Sequence, residues 1–274
     1  MEKNRTIIKP PAGISFGFSE LWQHRELLYF FAWRDIKVKY KQTVLGILWA
    51  VLQPLALMLL FSFIFSKTSI AATPAGIRYE IFVLSGLVLW NLFYTSVSHA
   101  ADSMIVNAGI IKKIYFPRLI IPLSTIVAAL LDFAVSLVLF AAFCLFYEQP
   151  VNVLALLYFP AAVLLCLLAA FGIGTFLGAL NVKYRDFRYA LPFLLQLLFF
   201  GTQIIYSLDI IENDWLRYLL ALNPVNAVVE LFRAGLTGSL DTMVVFTGIL
   251  TSLLLAATGL AYFKQTENFF ADIV

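Results

Sequence analysis

The residues able to do chemistry are few, and most sit at the edges of long apolar runs. There are two histidines, His24 and His99, in unlike surroundings. No His/Cys/Asp/Glu cluster has metal-ligand spacing, and no nucleophile elbow is present. The two cysteines, Cys144 and Cys166, lie inside apolar runs with no CxxC, which reads as two small buried hydrophobes. No G-x-x-x-x-G-K-S/T phosphate loop occurs anywhere. The chain is therefore expected to hydrolyse no nucleotide itself and to hold no catalytic residue, metal or cofactor.

What remains is charge. Arg34, Lys37, Lys39 and Lys41 crowd ahead of the first long apolar run. Arg and Lys are the usual phosphate binders, so these four are candidates to hold an anionic lipid head group at an entrance. They read equally well as orientation signals drawn to anionic lipid. Asp132 is the one acid well inside an apolar run. That placement is costly, and its default reading is functional. The sequence offers it no intramembrane Lys or Arg and no second acid, so the alternative is a hydrogen bond to a neighbouring helix. Two further segments, 107–118 (NAGIIKKIYFPR) and 181–189 (NVKYRDFRY), mix aromatic and basic residues. The mixture suits a protein interface, and Ile110, Ile111, Ile114, Tyr115 and Phe116 favour docking over a plain positive flank. Aromatic residues make up 16% of the chain; most of their rings are expected against lipid or neighbouring helices, and any that line a channel could stack on the C–H faces of a sugar ring.

The elements that position these residues follow from composition. Hydrophobic residues are 62% of the 274 and charged ones 13%, against about 25% charged in soluble domains. Apolar runs this long, without alternation, select membrane-spanning helices. Six spans are expected, at 44–66, 81–101, 119–146, 153–180, 191–207 and 243–263, in one transmembrane domain. An interfacial helix is expected at 19–33, with Trp22, Tyr29 and Trp33 at head-group level. Residues 208–240 are too polar to span and too apolar for a plain loop. Two short helices dipping back into the membrane and broken at Asn223-Pro224 fit them. Gly174 and Gly178, with Gly172 beside them, predict close helix packing within the subunit. Pro54 predicts a kink in the first span.

Of the 19 Lys and Arg residues, all but Lys67, Arg78, Arg217 and Arg233 fall on one side of these spans. That asymmetry predicts both termini in the cytoplasm. No basic face stands apart from the membrane flanks, which argues against nucleic acid as a partner. The first 43 residues carry eight Lys/Arg and no cleavable signal peptide is expected in them.

Taken in order, the motifs resemble a known family. Arg34-Asp35-Ile36-Lys37-Val38-Lys39-Tyr40, Leu45-Gly46-Ile47-Leu48-Trp49-Ala50 and Gln53-Pro54 are similar to the approach to the first span in permeases of type-2 ABC polysaccharide exporters. Gly86-Leu87-x-x-Trp90, Asn107 with Ile111-Lys112-Lys113-x-x-Phe116-Pro117-Arg118, Asn181-Val182-x-Tyr184-Arg185-Asp186, and Leu222-Asn223-Pro224 with Phe232-Arg233 continue the likeness over nearly the whole chain. It is most like the O-antigen exporter permeases (the Wzm type), with capsule and teichoic-acid permeases as relatives.

The resemblance implies an all-α permease with cytoplasmic coupling helices, sited in the bacterial inner membrane. A second copy of the chain would pair with it around a central channel. Two separate ATP-binding cassette subunits would bind ATP and Mg, and the cargo would be a polysaccharide on a polyprenyl diphosphate lipid. Glu20, Arg25, Lys112, Lys113, Tyr115, Tyr184, Arg185 and Asp186 would couple to the ATPases. Asn223, Pro224 and Arg233 would belong to an outer gate, and Trp90, Phe199 and Tyr206 would line the channel. One departure concerns the end of the fifth span. The family often has T-P-x-x-Y-P there, and this chain has Thr202-Gln203-Ile204-Ile205-Tyr206-Ser207, without the prolines; a softer helix break is expected. A membrane glycan-modifying enzyme would need a paired acid or His/Asp site. A secondary transporter would normally show repeats or several intramembrane charges.

Overall fold

The computed structural model describes residues 18–41, 43–66, 73, 77–184, 186–267 and 270. Arg185, one of the expected coupling residues, lies outside them. Among the described residues there is no strand. Lipid leaves the backbone no other partner, so each apolar run satisfies its own amides as helix.

Helix α1 (Phe18–Gln23) turns at His24 into α2 (Arg25–Tyr40), and α3 (Trp49–Phe65) follows a 3-10 turn at Gly46–Leu48. Then come α4 (Tyr79–Val106), the single turn α5 (Ala108–Ile111), α6 (Ile120–Phe146) and α7 (Ala155–Lys183). The chain ends with α8 (Asp186–Phe200), α9 (Asp214–Ala221), α10 (Pro224–Thr237) and α11 (Thr242–Glu267). Among the described residues, five segments are long and apolar enough to cross a membrane: Gly46–Phe65, α4, α6, α7 and α11. Helices α9 and α10 meet at 92° across a short break and together can count as a sixth.

Two expectations need correction. The first helical region does not stop at 33. It bends at His24, whose Nδ1 bonds Glu20 O at 2.8 Å, and then runs on to Tyr40. The charged residues from Arg34 onward continue it because each finds a ring or a polar partner alongside. The span expected at 191–207 is instead a 15-residue helix that begins at Asp186 and ends at Phe200. At about 1.5 Å per residue it is roughly 22 Å long, short of the ~30 Å hydrocarbon core, and residues 201–206 complete the crossing, since Arg188 meets Asp102 near one end of α4 while Ile204 O meets Arg233 beside Phe82 near the other. The break after Phe200 forms without either proline, because α10 supplies the bonds. Asn226 Oδ1 accepts from Gln203 N (2.7 Å), and Asn226 Nδ2 donates to Gly201 O (3.0 Å).

Helix α4 is the hub, packed on α3, α6, α7, α8 and α10. In its most apolar stretch 78% of residues are buried, against 11% for Gly46–Phe65. Small residues set the closest approaches. A Cβ on Gly174 would lie 2.7 Å from the Ala100 Cβ, so the Gly174/Gly178 step packs on α4 within the chain. A Cβ on Gly259 would lie 2.1 Å from Gly172 O, which locks α11 onto α7.

Candidate functional site

The basic end of the bundle gathers most of the expected site residues. A core of Phe31, Ile111, Phe116, Ile120, Val182 and Phe263 joins α2, the 108–118 turn and the ends of α6, α7 and α11. The Phe31 and Phe116 ring centroids are 5.7 Å apart. Arg34 lies over the Phe31 ring at 4.8 Å, pairs with Asp35 at 2.7 Å and donates to Asn107 Oδ1 at 2.8 Å. Helix α2 is thus tied to the residue from which the 108–118 turn springs.

Lys39 and Tyr40 at the end of α2 both bond the carboxylate of Asp132 on α6, Lys39 as an ion pair and Tyr40 through its hydroxyl. This corrects the reading of Asp132 as an acid without a cationic partner. Extension of α2 past residue 33 carries the ammonium to it. Ser136, one turn further along α6, donates to Ala50 O at 2.9 Å, so α6 also grips the start of α3. Of the four candidate phosphate holders, then, Arg34 and Lys39 are bonded within the chain. Lys41 is exposed, and Lys37 is exposed with its ammonium 5.3 Å from the Trp33 ring centroid.

The residues expected to couple to a partner face outward at this same end. Glu20, Arg25, Lys112, Lys113, Tyr184 and Asp186 are exposed, and Tyr115 is 79% exposed. Trp22, Ile114 and Tyr189 add apolar surface among them. Arg188, at the start of α8, pairs with Asp102 of α4 at 3.6 Å, which ties the 181–189 segment to the end of α4 that the 107–118 segment follows.

The three candidate channel rings are placed differently from one another. Trp90 is only 6% exposed and meets Phe199 edge-on at 5.3 Å. In this conformation neither face of Trp90 is open. Phe199 bridges Trp90 to Phe61 of α3, 6.2 Å away. Tyr206 is half-buried beyond the end of α8, with its hydroxyl donating to Phe200 O at 3.0 Å.

At the opposite end, Asn223 caps α10 by accepting from Val225 N (3.0 Å), and its amide donates to Thr202 Oγ1 (2.9 Å). Pro224 occupies the first turn, where a missing N–H costs nothing. Arg233, read as an outer cation, is 3% exposed. Its guanidinium lies 3.4 Å from the Phe82 ring centroid and donates to Phe82 O (2.9 Å), Ile204 O (3.1 Å) and Ser85 Oγ (3.2 Å). It therefore pins α10 to α4 and to the broken end of α8.

A polar face on α4 escaped the sequence reading. Asn91, Thr95, His99 and Asp102 all line cavities beside α2 and α6. Their spacing of four, four and three is a helical period and was visible as such. Long apolar neighbours on the other faces of the same span hid it.

The ABC-2 type transporter family profile matches residues 26–237. The chain is 30% identical over 253 residues to the O-antigen export system permease protein RfbA of Klebsiella pneumoniae, an overlap of 91% of this chain and 95% of the relative. It is 32% identical over 216 residues to the protein of the same name from Myxococcus xanthus, covering 78% and 82% of the two chains. It is also 29% identical over 246 residues to the polysialic acid transport protein KpsM of Escherichia coli, covering 86% and 91%. With its helical bundle and its tied basic end, this multi-pass membrane chain belongs to the ABC-2 type transporter family.

Proposed function

We propose that the chain is the membrane subunit of an ATP-driven exporter that carries a polysaccharide, on a polyprenyl diphosphate lipid, out of the cytoplasm across the inner membrane. The observation that carries this reading is the basic end. Exposed aromatic and basic residues from three separate segments converge there, in a chain whose sequence has no phosphate loop. Such a surface suits two ATP-binding subunits that supply ATP and Mg. The relatives' names point to O-antigen as the cargo. The polysialic acid relative keeps a capsule-like polymer, or teichoic acid, as the second reading.

In this scheme both termini are cytoplasmic and the carrier arrives at the inner leaflet. Lys37 and Lys41, whose ammonium groups stay exposed, hold its diphosphate. Arg34 and Lys39 hold α2 in place. Nucleotide-driven closure of the ATPases pushes on the docking turn, and α2 moves with it through Arg34–Asn107 and Phe31–Phe116. The bent pair α9–α10 acts as the outer gate, dipping into the membrane around Asn223-Pro224.

The decisive experiment is deletion of this chain, followed by assays of surface glycan and of lipid-linked glycan inside the cell. Loss of surface polymer with accumulation on its carrier inside is the expected result. Unchanged surface glycan overturns the polysaccharide reading and leaves only the transporter family.

A further inference from the structure

A polar crevice runs into the bundle between α2, α4 and α6. Two adjoining cavities of about 330 and 180 Å³ share Lys39, Tyr40, Thr95 and Asp132. From Asn91 to Asp102 the α4 face rises over eleven residue steps, roughly 16 Å of helix, so the crevice runs well into an apolar span. Polar side chains at such depth are expensive and mark a site unless they satisfy one another.

Here they do not. Among the described residues Asp35 Oδ2 and Asp102 Oδ1 are shielded from water and accept no hydrogen bond, Asp102 Oδ1 having only the Arg188 guanidinium at 3.6 Å. Gln53, Asn91 and Thr95 line the cavities and bond no other side chain among the described residues. A space of this size is at the low end for a small-molecule pocket.

The charges narrow the occupant. Asp132 is taken by Lys39, Asp35 by Arg34, and Asp102 faces Arg188. A diphosphate would meet three carboxylates, and a cation would find each already matched. What is unmatched is hydrogen-bonding capacity, both donor and acceptor, carried by Gln53, Asn91, Thr95 and the two carboxylate oxygens. The second cavity is also lined by the exposed Trp49 ring and by Tyr40, which provide flat apolar faces. A neutral polyhydroxyl group with C–H faces fits this combination.

We propose that the crevice binds a sugar, the one attached directly to the lipid diphosphate, with the phosphates left outside its carboxylate-lined interior. This rests on the lipid-carrier reading above and adds to it a recognition site for the first sugar.

The test uses the assembled transporter in phosphatidylcholine nanodiscs and two soluble probes, citronellyl diphosphate and citronellyl-diphospho-N-acetylglucosamine. Binding is followed by tryptophan fluorescence and checked by native mass spectrometry. The sugar-bearing probe is expected to bind about tenfold more tightly, since a site built for hydrogen bonds rejects a ligand lacking them. Asn91→Leu/Thr95→Val should erase that difference while leaving the bare diphosphate unchanged. Gln53→Leu, on another helix, should do the same in part and guards against misfolding of the double variant. Equal binding of both probes to the native protein, or a sugar preference that survives in both variants, overturns the crevice as the sugar site and leaves the carrier reading intact. Binding of neither probe overturns both.

Discussion

At the scale of single residues, the decisive feature is the ion pair between Lys39 and Asp132, 93 positions apart. Each partner was conspicuous in the sequence, the acid for its depth and the lysine for its place among four cations. Their meeting was not legible, because it depends on how far α2 continues and how it lies on α6. Lys39 remains partly exposed, so the pair contributes about 1 kcal/mol rather than the several expected of a fully buried one. Asp132→Lys should lower the thermal midpoint of the purified protein by a few degrees and reduce export. Lys39→Asp added to it should restore most of the loss, and a double variant no better than the single would refute the pair as a fastener. Arg233 makes a stronger case. A lysine there can neither stack as a plane on Phe82 nor fork to two carbonyls. Arg233→Lys should therefore destabilise by about 2 to 3 kcal/mol, read as loss of folded protein on heating in detergent; an unchanged midpoint would mean that the three hydrogen bonds contribute nothing.

At the scale of elements, the long apolar runs announced α3, α4, α6, α7 and α11, since length and hydropathy alone decide what can cross a bilayer. Asn223-Pro224 announced the break between α9 and α10 through its own chemistry, a cap followed by a residue that cannot donate. The end of α8 was illegible for the opposite reason. Residues 201–206, Gly-Thr-Gln-Ile-Ile-Tyr, carry no proline and only a weak stop signal in Gly201, and what stops the helix is bonding from Asn226 and Arg233 on another element. The glycines of α7 were read correctly as packing points, but their partners depended on the fold. Helices α7 and α11 approach so closely at Gly172 and Gly259 that an added methyl must force them apart. Gly259→Ala is expected to cost about 2 to 3 kcal/mol through overpacking. Gly109→Ala, whose added Cβ meets nothing within 4 Å, is the matched control and should cost little. Equal midpoints for the two variants would show that α7 and α11 can separate without penalty.

For the molecule as a whole, the question is what covers α3 and α8. Helix α3 with its preceding turn has mean hydropathy 2.2, yet only 11% of its most apolar stretch is buried by the rest of the chain. Lipid could cover it, as it covers the outer faces of α6, α7 and α11. The neighbourhood argues for more. Phe61 and Phe199 place α8 directly beside α3, and α8 is too short to cross the hydrocarbon alone. A short helix next to a weakly buried one leaves a face that a second copy of the chain would complete, related by a two-fold axis so that residues close to the axis lie near their own counterparts. Phe63 is 90% exposed on α3, whereas Phe246, 69% exposed, lies on α11, which packs on α7, α9 and α10. The native cysteines Cys144 and Cys166 are buried and do not compete in a cross-linking experiment. Phe63→Cys, treated with a short bifunctional thiol reagent in native membranes, should yield a dimer, while Phe246→Cys should not. Dimer from Phe246→Cys alone would move the interface to α11 and leave α3 facing lipid. Dimer from Phe63→Cys alone would put the aromatic row from Phe61 through Phe199 to Trp90 beside the two-fold axis. A small separation of the subunits there would then bare rings that the single chain keeps covered.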